Sequence, residues 1–221
     1  AKPEDISSQK ETNAAMIHGI EQITGKVKVL KDGKFEMVNP LEEIKVSYPN
    51  IGTYSAFIFG HPEAITFPYH FKDLLNSINL AHGNKSTIFV LKIMRKLINL
   101  KILTKKTAAR FLEWLEKKGT SRKYTETTSL PEIYALAIGF KNGKEECVGV
   151  SLDGEPSREL TMGEATGYPL SLGFKMFLNN EITERGVIAP ESKCIDHKKL
   201  LMEIYELFGM KDAKIKVNKS W

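Results

Sequence analysis

Cysteine is almost missing from this chain of 221 residues, which has two, Cys147 and Cys194, far apart and in no CxxC pair. That excludes a disulfide-framed secreted scaffold and a cysteine metal knot, and it places the expected home of the protein in a reducing cytoplasm. Long apolar runs are missing too. None approaches the roughly 20 residues that a spanning helix needs, so no membrane partner is expected. The opening AKPEDISSQKETN has no apolar h-region and does not read as a signal peptide. Residues 1–13 read instead as a polar lead-in to one domain over 14–221.

The signatures of nucleotide and metal enzymes are also lacking. No two of the 16 glycines stand two positions apart, so GxGxxG cannot be written anywhere in the chain. A dinucleotide site needs that Gly-rich turn to bring the backbone up to the pyrophosphate. No phosphate-cradling GxxxxGK is present either. HExxH is absent, and the five histidines, His18, His61, His70, His82 and His197, show no metal-ligand spacing. The nearest approach to a nucleophile elbow, Gly149-Val150-Ser151-Leu152-Asp153, lacks its last glycine and falls inside a strand pattern. No cofactor is expected on this chain, and it does not read as a complete enzyme.

What is present is ordinary globular material, 42% hydrophobic and 27% charged, enough for a sizeable core. The formal charge is +5, with lysines and acidic residues interleaved. The densest basic series is Lys92, Arg95, Lys96, Lys101, Lys105, Lys106 and Arg110. It falls between apolar stripe residues of two helices, as a solvated face does, so no nucleic-acid partner is expected. Were the series a nucleic-acid face, binding would weaken steeply with salt.

The periodicities predict a helix over 12–23 and then a hairpin through Asp32-Gly33. Strands follow at 44–48 and 54–59, a turn at Gly60-His61-Pro62-Glu63, and a short extended piece over 64–67 stopped by Pro68. Ser86 or Thr87 is expected to cap a helix with Ile88, Leu91, Met94, Leu97 and Ile98 on one stripe. Thr104 caps the next, whose Ala108, Phe111, Leu112 and Leu115 face inward and which Gly119 ends. Trp114 is expected at the rim of the core. A polar connection over 120–130 leads to strands at 133–140 and 146–152, joined through Asn142-Gly143. Thr161 and Glu164 form a capping box for a helix to about Asn180, with a kink or late start at Pro169. Asp196 caps a last helix ended by Gly209, and a strand at 213–217 follows. The order predicts an α+β fold on a mixed, largely antiparallel sheet covered by helices, with no Rossmann domain.

Two segments carry a resemblance. AFIFGHPEAITFP, at 56–68, is one. The other runs through ALAIGFKNGKEECVGVSL and MGEATGYPLSLGFKMFLNNEITERGVIAPE to a terminal helix ending before Gly209. Together with VKVLKDGKFEMVNPLEE they resemble the C-terminal domain of the saccharopine dehydrogenase family, which includes lysine and carboxynorspermidine dehydrogenases. The resemblance covers the chain from about Met16 onward, and TGYP is its most specific part. It implies the substrate and dimerisation domain of an oxidoreductase acting on a C–N bond of an amino acid or polyamine-like amine. NAD(P) would sit on an N-terminal Rossmann domain that this sequence does not contain, and a homodimer is implied. A family segment of the type RGTxRYxG is not found. The comparable stretch reads NLAHGNKSTIFVLKIMRKL, which puts saccharopine itself in doubt as substrate.

Five residues are singled out for substrate binding. His61 and Glu63 lie on a turn after a strand, where an imidazole offers acid–base chemistry and a carboxylate can hold an ammonium. Thr166, Gly167 and Tyr168 precede Pro169 and offer hydroxyls and close approach to a substrate carboxylate. Tyr69 and His70 read as ordinary loop residues. The competing functional reading is a non-catalytic oligomerisation or interaction module descended from the same fold.

Overall fold

The computed structural model describes residues 14–117, 130–131, 133–153, 162–210 and 214–219. The expected lead-in, the ends of the capping box and of the second middle helix (Thr161, Gly119) and nearly all of the polar connection lie outside the described residues. The fold is α+β, as expected, but among the described residues the strands form three small antiparallel sheets. By the density of their internal contacts, the described residues of 6–46 and 53–127 form one compact unit and those of 47–52 and 128–221 the other.

The first unit opens with helix α1 (Ala14–Gln22) and strands β1 (Val27–Lys31) and β2 (Lys34–Val38). The two strands pair antiparallel with Lys31 opposite Lys34, so a two-residue loop joins them. Asp32 and Gly33 occupy it at φ 47° and 74°. Both central residues are left-handed, the geometry that suits the right-handed twist of the flanking strands and that Asp-Gly favours. Strands β3 (Glu43–Tyr48) and β4 (Gly52–Ile58) follow; the end of β3 and the first residue of β4 belong to the second unit.

Residues 64–67 are not extended. They lie in helix α2 (Glu63–His70), and Pro68 sits inside it. A proline normally ends a helix by removing a donor. Here the first turn is set before Pro68 by the amides of Ile65 and Thr66 donating to the Pro62 carbonyl at 2.8 and 2.9 Å. Burial of Ala64 and packing on β1 hold the helix in place. Tertiary packing thus overrides the local extended preference of Ile65-Thr66-Phe67.

A two-residue strand β5 (Leu80–Ala81) pairs with the end of β4. Helix α3 (Lys85–Asn99) starts two residues earlier than a Ser86 cap would allow. Its cap is Asn84, whose side-chain oxygen accepts from the Thr87 amide at 2.7 Å. Helix α4 (Lys105–Lys117) is capped by Thr104 as expected, Oγ1 accepting from the Thr107 amide at 3.1 Å. Ile20, Ile23, Leu41, Phe57, Ile88, Met94, Ala108 and Ala109 make the core of this unit. Each large aliphatic side chain buried there contributes about 1.5–3 kcal/mol. Phe111 does not join it. It is exposed and stacks on Trp114 with centroids 5.9 Å apart.

The second unit contains β6 (Tyr134–Lys141) and β7 (Lys144–Asp153), joined through Asn142 and Gly143 at φ 52° and 76°, the same left-handed pair of turn residues. Helix α5 (Met162–Leu178) runs through Pro169 without the late start the proline suggested. Helix α6 (His197–Leu207) packs on it. Asp196 caps α6, accepting from the Lys199 amide at 3.0 Å, and Gly209 at φ 68° ends it while the Met210 amide donates to the Tyr205 carbonyl. Strand β8 (Lys214–Lys219) returns to β7, giving the order β6-β7-β8. One sheet face holds Tyr134, Gly149, Ser151 and Asn218, and the last three are buried. The Tyr134 ring fills the space a side chain at Gly149 would take and meets Tyr48 edge-on at 4.9 Å.

Candidate functional site

An open groove of about 390 Å³ lies in the first unit. Its walls are His18, Glu21 and Gln22 of α1 on one side and His61, Pro62, Ile65 and Thr66 on the other. Val27, Lys28 and Gly60 complete it. Close approach of the chain at Gly60 shapes this end of the groove. The Gly60 amide donates to the Gln22 carbonyl at 2.8 Å, and a Cβ on Gly60 would stand 2.8 Å from Val27 Cγ1. Only glycine permits that approach without something shifting.

His61 and Glu63 are brought together. The His61 Nδ1 and Glu63 Oε2 are hydrogen-bonded, and both side chains are partly exposed. Asn79 supports them from β5's approach, its Nδ2 donating to the same Glu63 oxygen at 3.3 Å while its Oδ1 accepts from the Ala64 amide at 2.9 Å. Sequence reasoning missed Asn79, since it stands 16 positions from Glu63 and belongs to no motif. His18 and Gln22 were missed likewise. They are hydrogen-bonded at 3.0 Å, one helical turn apart on α1. Glu21 is paired to Lys105 at 3.0 Å, and the Lys28 ammonium lies over the Phe35 ring.

Thr166, Gly167 and Tyr168 lie on α5, in the second unit. Thr166 is exposed and Gly167 has open space around it, so packing does not require a glycine there. The Tyr168 hydroxyl donates to Glu164 Oε1 at 3.4 Å, and its ring leans on Phe208 just after α6. Tyr69 is exposed with Lys72 over its ring, and neither it nor His70 lines the groove.

Arg95, the arginine nearest to the absent carboxylate-binding segment, is committed to structure. Its two terminal nitrogens donate to the Pro40 carbonyl and Asn39 Oδ1, both at 2.9 Å. Lys92 lies over the Phe57 ring. The Glu43 carboxyl is held below its ordinary range, chiefly by a hydrogen bond with Ser55 and further by Lys45, Lys85 and Lys92. Part of the basic series is thus engaged locally. In the second unit burial pushes the Tyr48 and Tyr205 phenols and the Cys147 thiol up.

Among the described residues, no group of three or more His, Cys, Asp or Glu side chains is placed to hold a metal ion. None of the described helices is long and apolar enough to cross a membrane. No protein-family model matches the chain, and no curated protein matches it either.

Proposed function

We propose that this chain is the substrate-binding and dimerisation domain of an NAD(P)-dependent oxidoreductase acting on a C–N bond of an amino acid or related amine, with the nucleotide carried by a separate domain. Hydride chemistry would belong to the cofactor, and this domain would orient the amine and its carboxylates. The observation that supports the reading is the placement of the GHPE segment. Its His61 lines the groove, its Glu63 is hydrogen-bonded to that histidine, and Lys28 offers a cation among the lining residues. An imidazole braced by a carboxylate, on a groove whose lining also includes a lysine, suits a zwitterionic ligand. Thr166, Gly167 and Tyr168, on α5 in the other unit, enter the reading as a separate candidate region.

The test is titration of the chain with L-lysine, L-glutamate and spermidine, followed residue by residue in amide NMR spectra. The expected result is a saturable shift at 60–66 for at least one of them, and no turnover with NADPH. Tight NADPH binding by the chain itself, or silence of 60–66 towards every amine, would overturn the reading. A second reading, a non-catalytic oligomerisation module, draws on the exposed apolar residues Leu170, Phe174, Phe177 and Leu178 of α5. It predicts association with no response to any amine.

A further inference from the structure

We propose that His61 is a proton acceptor for an amine-bearing ligand of the groove, and that Glu63 and Asn79 are positioning residues that fix its tautomer. The ligand class rests on the function proposed above; the positioning does not.

A carboxylate accepts hydrogen bonds and cannot donate them, so in the His61–Glu63 contact the hydrogen sits on Nδ1 of the ring. In the neutral ring the lone pair is then on Nε2. Glu63 is itself held. It stands in the first turn of α2, where the helix favours negative charge, and Asn79 donates to its Oε2. The Asn79 amide has its orientation set by the backbone. Its oxygen takes the Ala64 amide, and the Asn79 carbonyl takes the Phe59 amide at 3.2 Å. The order is backbone, amide, carboxylate, imidazole, which is how a base is aimed when a third group orients it.

The other titratable groups lining the groove are His18, Glu21 and Lys28. His18 uses Nε2 towards the Gln22 amide nitrogen, which can only donate, and Glu21 is engaged by Lys105. Lys28 is a cation and suits a ligand carboxylate. His61 is therefore the lining group with a directed lone pair.

An N–H bond of the ligand ammonium breaks and its electron pair stays on the amine nitrogen. The proton forms a new bond to His61 Nε2, and Glu63 faces the resulting imidazolium. No electron is exchanged with any other group.

Long-range ¹H–¹⁵N spectra of the imidazole side chains test this on the ¹⁵N-labelled 221-residue chain, in mildly alkaline buffer without ligand. His61 is expected to show one fixed neutral ring protonated at Nδ1. Glu63→Leu, which removes the acceptor, and Asn79→Ala are each expected to lose that pattern to the averaged one of a free imidazole, whereas Glu63→Gln, whose amide oxygen can still accept from Nδ1, keeps it. Thermal unfolding confirms that each variant folds, and Glu63→Leu decides alone if Asn79→Ala does not fold. A ring protonated at Nε2, or a wild-type pattern kept in Glu63→Leu, overturns the positioning. Addition of L-lysine is then expected to shift the His61 Nε2 resonance as its lone pair accepts a hydrogen bond from the ligand ammonium, and its failure to move while 60–66 respond overturns the acceptor role. A fixed ring with no response anywhere in 60–66 to L-lysine, L-glutamate or spermidine instead sinks the amine-binding function and leaves the positioned base.

Discussion

Gly60 shows how a single missing side chain sets the shape of the groove. With Val27 Cγ1 at 2.8 Å and the Gln22 carbonyl oxygen at 3.3 Å from the position a Cβ would take, alanine there must push β1 or the end of α1 outward. Gly60→Ala is expected to destabilise the first unit by about 1–3 kcal/mol, read as a lower denaturant midpoint with an unchanged slope. The amine titration should weaken in the same variant, because His18, Gln22 and Val27 all line the groove. The GHPE segment could be found in the sequence because glycine and proline mark a turn wherever they fall. Its support could not, since Asn79 reaches Glu63 only through the pairing of β4 with β5. The TGYP residues were equally visible and lie in the other unit, with the Tyr168 hydroxyl already engaged by Glu164.

Elements whose ends carry their own chemistry were the most legible. Asp-Gly and Asn-Gly fix both two-residue turns by backbone conformation alone, and Thr104 and Asp196 cap their helices with their own side chains. Helix α2 was illegible because what holds it is packing on β1, which no local pattern announces. Asp196→Ala is expected to cost about 1 kcal/mol, measured as lost thermal stability of the second unit.

The pairing of Glu181, just after α5, with Lys199 of α6 gives a pH prediction. The Glu181 carboxyl is held below its ordinary 4.5 first by Lys199 and then by Asn179, and Lys199 is held above its ordinary 10.5 first by Glu181. Folding favours the charged form of each. The Glu181 contribution is therefore full above 4.5 and lost as pH falls through the lower folded value. The Lys199 contribution is full below 10.5 and lost as pH rises through the higher folded value. Between those limits both are flat. Glu181→Gln should flatten the acid limb of stability against pH and leave neutral pH little changed, because the pair lies at the surface, with Lys199 exposed and Glu181 half-buried, and is screened.

At the scale of the whole molecule, apolar surface outside the cores matters most. On α5, Leu170, Phe174, Phe177 and Leu178 recur at helical spacing and are 75, 62, 57 and 61% exposed. Such a stripe on a protein in water favours association. Sedimentation at rising concentration is expected to show reversible self-association, reduced in a Phe174→Ser, Phe177→Ser double variant whose thermal stability is unchanged. A monomer at all concentrations would remove the dimer from the proposed function.

The sheet of the second unit has another consequence, for the order in which the chain can fold. Strand β8 pairs along most of β7 from Val148–Lys219 to Asp153–Lys214, and α5 and α6 lie between the two strands in sequence. The β6–β7 hairpin closes locally and fast, whereas the third strand must wait for both helices to leave the ribosome. Until it arrives, one edge of β7 is an open template for any extended chain nearby. Nascent chains halted before residue 214 should therefore be the ones most in need of a chaperone.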